Sequence, residues 1–124
     1  MSLLLGLFLF AQGFMVFDGE LPPLPTVQLE LRDLIDIVLE FRILMEDNPT
    51  FCRTFYGLTD YESKTISICT LYTHTQQAKT FLHEAYHVKY HKLGIDTGGP
   101  YEPEIDRLAQ EAFLRLYGSG AVKN

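Results

Sequence analysis

Positive charge is scarce in this chain. Its 124 residues carry 10 Lys and Arg against 16 Asp and Glu, a net charge of -6. No basic patch interrupts that balance, which argues against direct, non-specific binding to nucleic acid. A DNA-associated role would have to run through a protein bound there. Cysteine is nearly absent too: the two residues, Cys52 and Cys69, lack metal-ligand spacing with each other. Long apolar runs are missing beyond residues 1–17, and the length suits one core rather than two.

What is present centres on His83-Glu84-Ala85-Tyr86-His87. Residues four apart share a helix face, so both imidazoles can reach one divalent ion while the glutamate between them lies beside it. Imidazole suits zinc, and an ion with three protein ligands and a water lowers that water's pKa to about 7. Glu84 is then the expected general base. Thr73 or Thr75 as N-cap, Gln76 as a capping-box partner and Gly94 as C-cap predict a helix over about 76–93. Its wheel sets Ala78, Phe81, Leu82, Ala85 and Leu93 opposite His83, Glu84 and His87, separating a core face from a chemical face.

His91 extends the histidine run, but it is anchored two turns from His83, about 12 Å along the axis, too far to share an ion. It reads as a surface or cleft-rim residue. A third ligand is expected from a second amphipathic helix over 101–117, marked by Ile105, Leu108, Ala109, Ala112, Phe113 and Leu116. Glu104, Arg107, Glu111 and Arg115 fall on its outer face, whereas Glu102 and Asp106 face inward. Glu102 is the expected metal ligand. Asp106, one turn on, is placed to accept the second ring N–H of a ligating histidine. Alternatively Glu102 only caps the helix, with Pro103 at the first helical position.

His83-Glu84-x-x-His87 followed by Glu102-x-x-x-Asp106 resembles the gluzincin branch of zinc metallopeptidases, whose signature is HExxH plus a downstream ExxxD or ExxxN helix. The short chain and the stretch Glu102 to Ala109 look most like the ImmA/IrrE-type metallopeptidases, over roughly residues 55–117. That resemblance implies an α+β fold, a zincin-like minimal catalytic domain in which a small antiparallel sheet packs on the HExxH helix. It also implies a peptide substrate aligned along an edge strand, expected to be Thr65 to Leu71.

Along the rest of the chain, MSLLLGLFLFAQGFMVF (1–17) is an apolar leader marginal for a membrane span. It reads as a signal peptide cleaved near Ala11-Gln12-Gly13, as an anchor, as a core segment, or as upstream sequence before a true start at Met15. The cytoplasm is slightly favoured, with export if residues 1–13 are a signal. Residues 18–26 form a Pro-rich linker, 27–118 one domain, and 119–124 a flexible tail. An amphipathic helix is expected from Val27 to Met45. Strands are expected over Thr50–Tyr56 and Thr65–Tyr72, joined in a hairpin by a polar turn over Gly57–Lys64. A turn at Asp60-Tyr61 would set Cys52 opposite Cys69 for a disulfide, and one two residues later would separate them; two buried thiols in a reducing compartment are preferred.

The expected function is therefore a zinc-dependent peptidase acting on a protein or peptide substrate. His83, His87 and Glu102 hold the ion, Glu84 moves the proton, and Tyr101, Tyr86 or His91 stabilises the oxyanion. The alternative is a catalytically inactive interaction or regulatory module on the same scaffold.

Overall fold

A computed structural model describes residues 21–118. The expectations for 1–17, for 18–20 and for the tail 119–124 lie outside the described residues. Within them, no helix is long and apolar enough to cross a membrane.

The elements run α1 (Leu31–Glu40), β1 (Arg42–Glu46), α2 (Pro49–Thr54), β2 (Gly57–Asp60), β3 (Thr65–Cys69), α3 (His74–Lys92), a 3-10 turn (Gly99–Tyr101) and α4 (Glu102–Tyr117). The fold is mixed α+β, but its sheet departs from expectation. Strand order is β1-β3-β2. β1 pairs parallel with β3, Arg42 opposite Thr65 and Glu46 opposite Cys69, whereas β2 pairs antiparallel, Gly57 opposite Ile68 and Asp60 opposite Thr65. The sheet is therefore mixed rather than antiparallel, and Thr65–Cys69 is its centre rather than its edge. Burial explains the position: Thr65, Ile66, Ile68 and Cys69 are all buried, as a strand covered on both faces requires.

The region before β3 folds differently from its periodicity. A capping box between Glu30 and Asp33 starts α1 at Leu31, with Glu30 N–H donating to Asp33 Oδ2 at 2.7 Å. The helix ends at Glu40, not Met45, because Arg42–Glu46 gains a full ladder with β3 that a longer helix would forfeit. Next, Asn48 accepts hydrogen bonds from the N–H groups of Thr50 and Phe51, and Pro49 opens the first turn, so 49–54 is a helix rather than a strand. The true β2 occupies the start of the expected turn. Asp60 Oδ1 closes the remaining loop by accepting from Glu62 and Ser63 N–H, which holds its carboxyl below the usual range. The thiols expected to be free form a disulfide, Cys52–Cys69, with Cα atoms 5.4 Å apart. It joins α2 to the end of β3, not two strands of a hairpin.

Helix α3 runs through the middle of the domain. Leu82, Ala85, Tyr86, Val88 and Tyr90 pack with Ile66 and Ile68 of β3, Ile37 of α1, and Ile105, Ala109, Ala112 and Phe113 of α4. Leu93, expected on the core face, is exposed. The described part of the Pro-rich stretch lies along this core as an extended strap. Tyr101 and Tyr90 hydroxyls donate to the carbonyls of Pro22 and Pro25 at 2.6 and 2.7 Å, and Arg115 donates to that of the fully buried Leu29 at 2.6 Å.

Candidate metal centre

Thr73 caps α3 by accepting from Gln76 N–H at 3.1 Å, and Gly94 leaves the helix at φ +81°. Gln76 does not close a capping box; its amide donates to Thr80 Oγ1 instead. Between these ends, His83 and His87 project one turn apart toward the start of α4, while Glu84 turns toward β2. There Thr59 Oγ1 donates to Glu84 Oε1 at 2.5 Å, orienting a carboxylate that is 6 % exposed. Close packing makes this contact possible. A Cβ at Gly57 would lie 2.6 Å from Thr80 Cγ2 and 3.1 Å from the Ser67 carbonyl oxygen, so only glycine lets β2 approach α3 this far.

Glu102, the first residue of α4, completes the group, and the N-cap position falls to Tyr101 instead. Glu102 Oε1 lies 2.8 Å from His83 Nε2 and 3.2 Å from His87 Nε2, and the two Nε2 atoms are 3.1 Å apart. Each ring is held from its far side. His83 Nδ1 lies 2.6 Å from Asp106 Oδ1, and His87 Nδ1 lies 2.7 Å from Thr97 Oγ1.

This arrangement fits a cation. Two imidazole nitrogens and a carboxylate oxygen face one another at 2.8 to 3.2 Å, a set of lone pairs that one positive ion can satisfy together. A tetrahedral ion with bonds of about 2.0–2.1 Å sets its ligand atoms roughly 3.3 Å apart, close to the observed triangle. His83, His87 and Glu102 can therefore hold a metal ion.

A cleft of about 730 Å³ opens over the group, walled by β2, α3, residues 95–98 and the start of α4. His91 lines its rim, stacked on Tyr61 with centroids 3.9 Å apart and planes at 16°. Tyr86 is 2 % exposed and packs beside Tyr90 in the core, on the side of α3 away from the cleft. Tyr101 instead holds the strap. Sequence reasoning missed Thr59, Thr97 and Tyr61. Tyr61 lines the cleft, and burial, reinforced by the negative charges of Glu84, Asp96 and Glu102, pushes its phenol up to about 12. An aromatic residue inside the expected polar turn over 57–64 is its one signal. Thr97 sits in a loop that reads as mostly backbone.

No family model, no curated protein and no solved structure matches this chain.

Proposed function

We propose that this chain is a zinc-dependent peptidase. One observation carries the reading: two imidazole nitrogens and a carboxylate oxygen converge within 3.2 Å, and a second, separately held carboxylate, Glu84, faces the same cleft. Two nitrogens and one oxygen form a donor set suited to zinc. Bound there, zinc would lower the pKa of a water to about 7 and polarise the scissile carbonyl.

The chain's own residues supply the rest. Glu84, held by Thr59 at one oxygen, takes the proton from the attacking water at its carboxylate and returns it to the leaving amine nitrogen. Tyr61, protonated throughout the physiological range, supplies an O–H donor for the oxyanion, and His91 stacks behind it to hold the ring. Neither Tyr86 nor Tyr101 serves that purpose from where it lies. The free edge of β2, rather than Thr65–Leu71, is the strand along which a peptide backbone would align.

Elemental analysis tests the reading. One zinc per chain is expected in the wild type and in Glu104→Ala, whose residue pairs with Arg107 on the outer face, but not in Glu102→Ala. Glu84→Gln should keep its zinc and lose turnover. A wild type that takes up no zinc when supplied would leave an interaction module in place of a peptidase.

A further inference from the structure

The two ends of the cleft differ in chemistry, and that difference specifies a ligand. β2 runs beside α3 in one direction: Gly57 packs at Thr80, Thr59 meets Glu84, and Tyr61, just past the strand, stacks on His91. At the Gly57 end, Phe55 and Tyr56 line the cleft and remain 38 % and 54 % exposed. Neither ring is loose. Phe55 packs on Phe51 at 5.5 Å and Tyr56 on Tyr72 at 4.7 Å, and the Cys52–Cys69 bridge ties α2, which leads into Phe55, to β3. A rigid, half-exposed aromatic wall beside a cleft gains by covering its area with another apolar side chain.

At the Tyr61 end the lining is acidic. Asp96 follows α3 there and lines the same cleft as Tyr61 and His91. Its Oδ1 accepts from Gly98 N–H at 3.0 Å, which fixes the carboxylate but leaves its other lone pairs free. Among the described residues lining the cleft, Lys79 is the only Lys or Arg. It lies toward the opposite end, with its ammonium over the Phe113 ring at 5.2 Å.

We propose that the cleft binds an extended peptide carrying a large apolar or aromatic side chain at the Phe55–Tyr56 end and a Lys or Arg at the Asp96 end. The inference rests on the peptidase reading for its occupant and adds what that reading leaves open, the substrate class. From Tyr56 to Tyr61 an extended chain covers about 16 Å at roughly 3.3 Å per residue, so the two side chains stand four or five residues apart in the ligand.

The test uses the full-length Glu84→Gln protein, which cannot turn over its ligand, and labelled decapeptides followed by fluorescence anisotropy. The parent peptide carries Phe and Arg five residues apart in an Ala-Ser background; companions replace Phe by Ser, or Arg by Glu. Each replacement should weaken binding about tenfold. Adding Asp96→Asn, which keeps the Gly98 contact, should abolish the preference for Arg and keep that for Phe; adding Tyr56→Ser should do the reverse. Equal affinity across the panel, or no binding of any peptide, overturns the proposal. Wild-type protein that shows these preferences but leaves the peptides intact overturns the peptidase reading alone.

Discussion

The two histidines of the candidate centre are held by opposite means. His87 turns its far nitrogen to Thr97, a neutral hydroxyl that is 3 % exposed, whereas His83 turns its own to Asp106, a charged carboxylate whose side chain is 73 % exposed. Both contacts are short, 2.7 and 2.6 Å, so geometry alone would rank them equal. Environment does not. Water can replace Asp106 on His83 and screens its charge, but nothing can replace Thr97 on a buried ring nitrogen. One half of the site is preorganised by burial, the other by an electrostatic contact open to solvent.

Separating the halves gives the largest expected effect. Outer hydrogen-bond partners of metal-binding histidines are worth about 10–100-fold in affinity, and Thr97→Val should fall at the upper end and Asp106→Asn at the lower. A chelator competition assay measures both. Raising the salt concentration should narrow the gap between wild type and Asp106→Asn and leave that between wild type and Thr97→Val unchanged. Equal losses in the two variants would break the comparison.

Next in size is Gly57→Ala. The new methyl meets Thr80, itself buried, and the Ser67 backbone, so overpacking should cost about 1–3 kcal/mol in denaturant unfolding. Thr59→Val removes the hydroxyl that holds Glu84 without that clash. It should leave metal affinity near wild type and slow turnover, which assigns Thr59 to the base rather than to the ion.

Tyr61 sharpens the comparison at the boundary between buried and open. Its phenol is raised from 10.0 to about 12, so its proton is retained below pH 10 and the stability tied to it is lost as pH rises through about 12. A tyrosinate absorbance step near that pH should vanish in Tyr61→Phe. A step at the ordinary value would place the ring in solvent.

The smallest effect is expected from a contact at the surface. Glu40 accepts from Lys64 and from Lys92, and those two hydrogen bonds bring its carboxyl down to about 2. Stability from a depressed carboxyl is present above its ordinary 4.5 and fades as pH falls from there toward 2. Glu40→Gln should flatten that acid limb slightly in thermal unfolding, and should not alter metal affinity.

Much of the site is legible in the sequence because its main parts are local. The four-residue spacing of His83 and His87 sets both rings on one side of any helix that contains them, and the same spacing aligns Glu102 with Asp106. That the two helices meet at these residues follows from their apolar faces. The region from Val27 to Lys64 departs from its local pattern for the opposite reason. Arg42–Glu46 carries an aliphatic run compatible with helix or strand, and its pairing with β3, more than twenty residues on, decides the matter. Asn48-Pro49, just past the expected helix end at Met45, begins a helix of its own, and the strand expected over 50–56 is lost to it.

Sequence by itself thus determined the mixed α+β class, the helix carrying both histidines, and the acidic residues that face them, since each depends on periodicity within a few turns of chain. Only the tertiary structure decided that the sheet is mixed with β3 at its centre, that Cys52 meets Cys69, and that Thr59, Tyr61 and Thr97 surround the site. Those residues come from a strand and loops with no period of their own. Their roles arise from contacts across 10 to 25 residues of sequence, which packing of β2 and the 95–98 loop against α3 creates and no local pattern encodes.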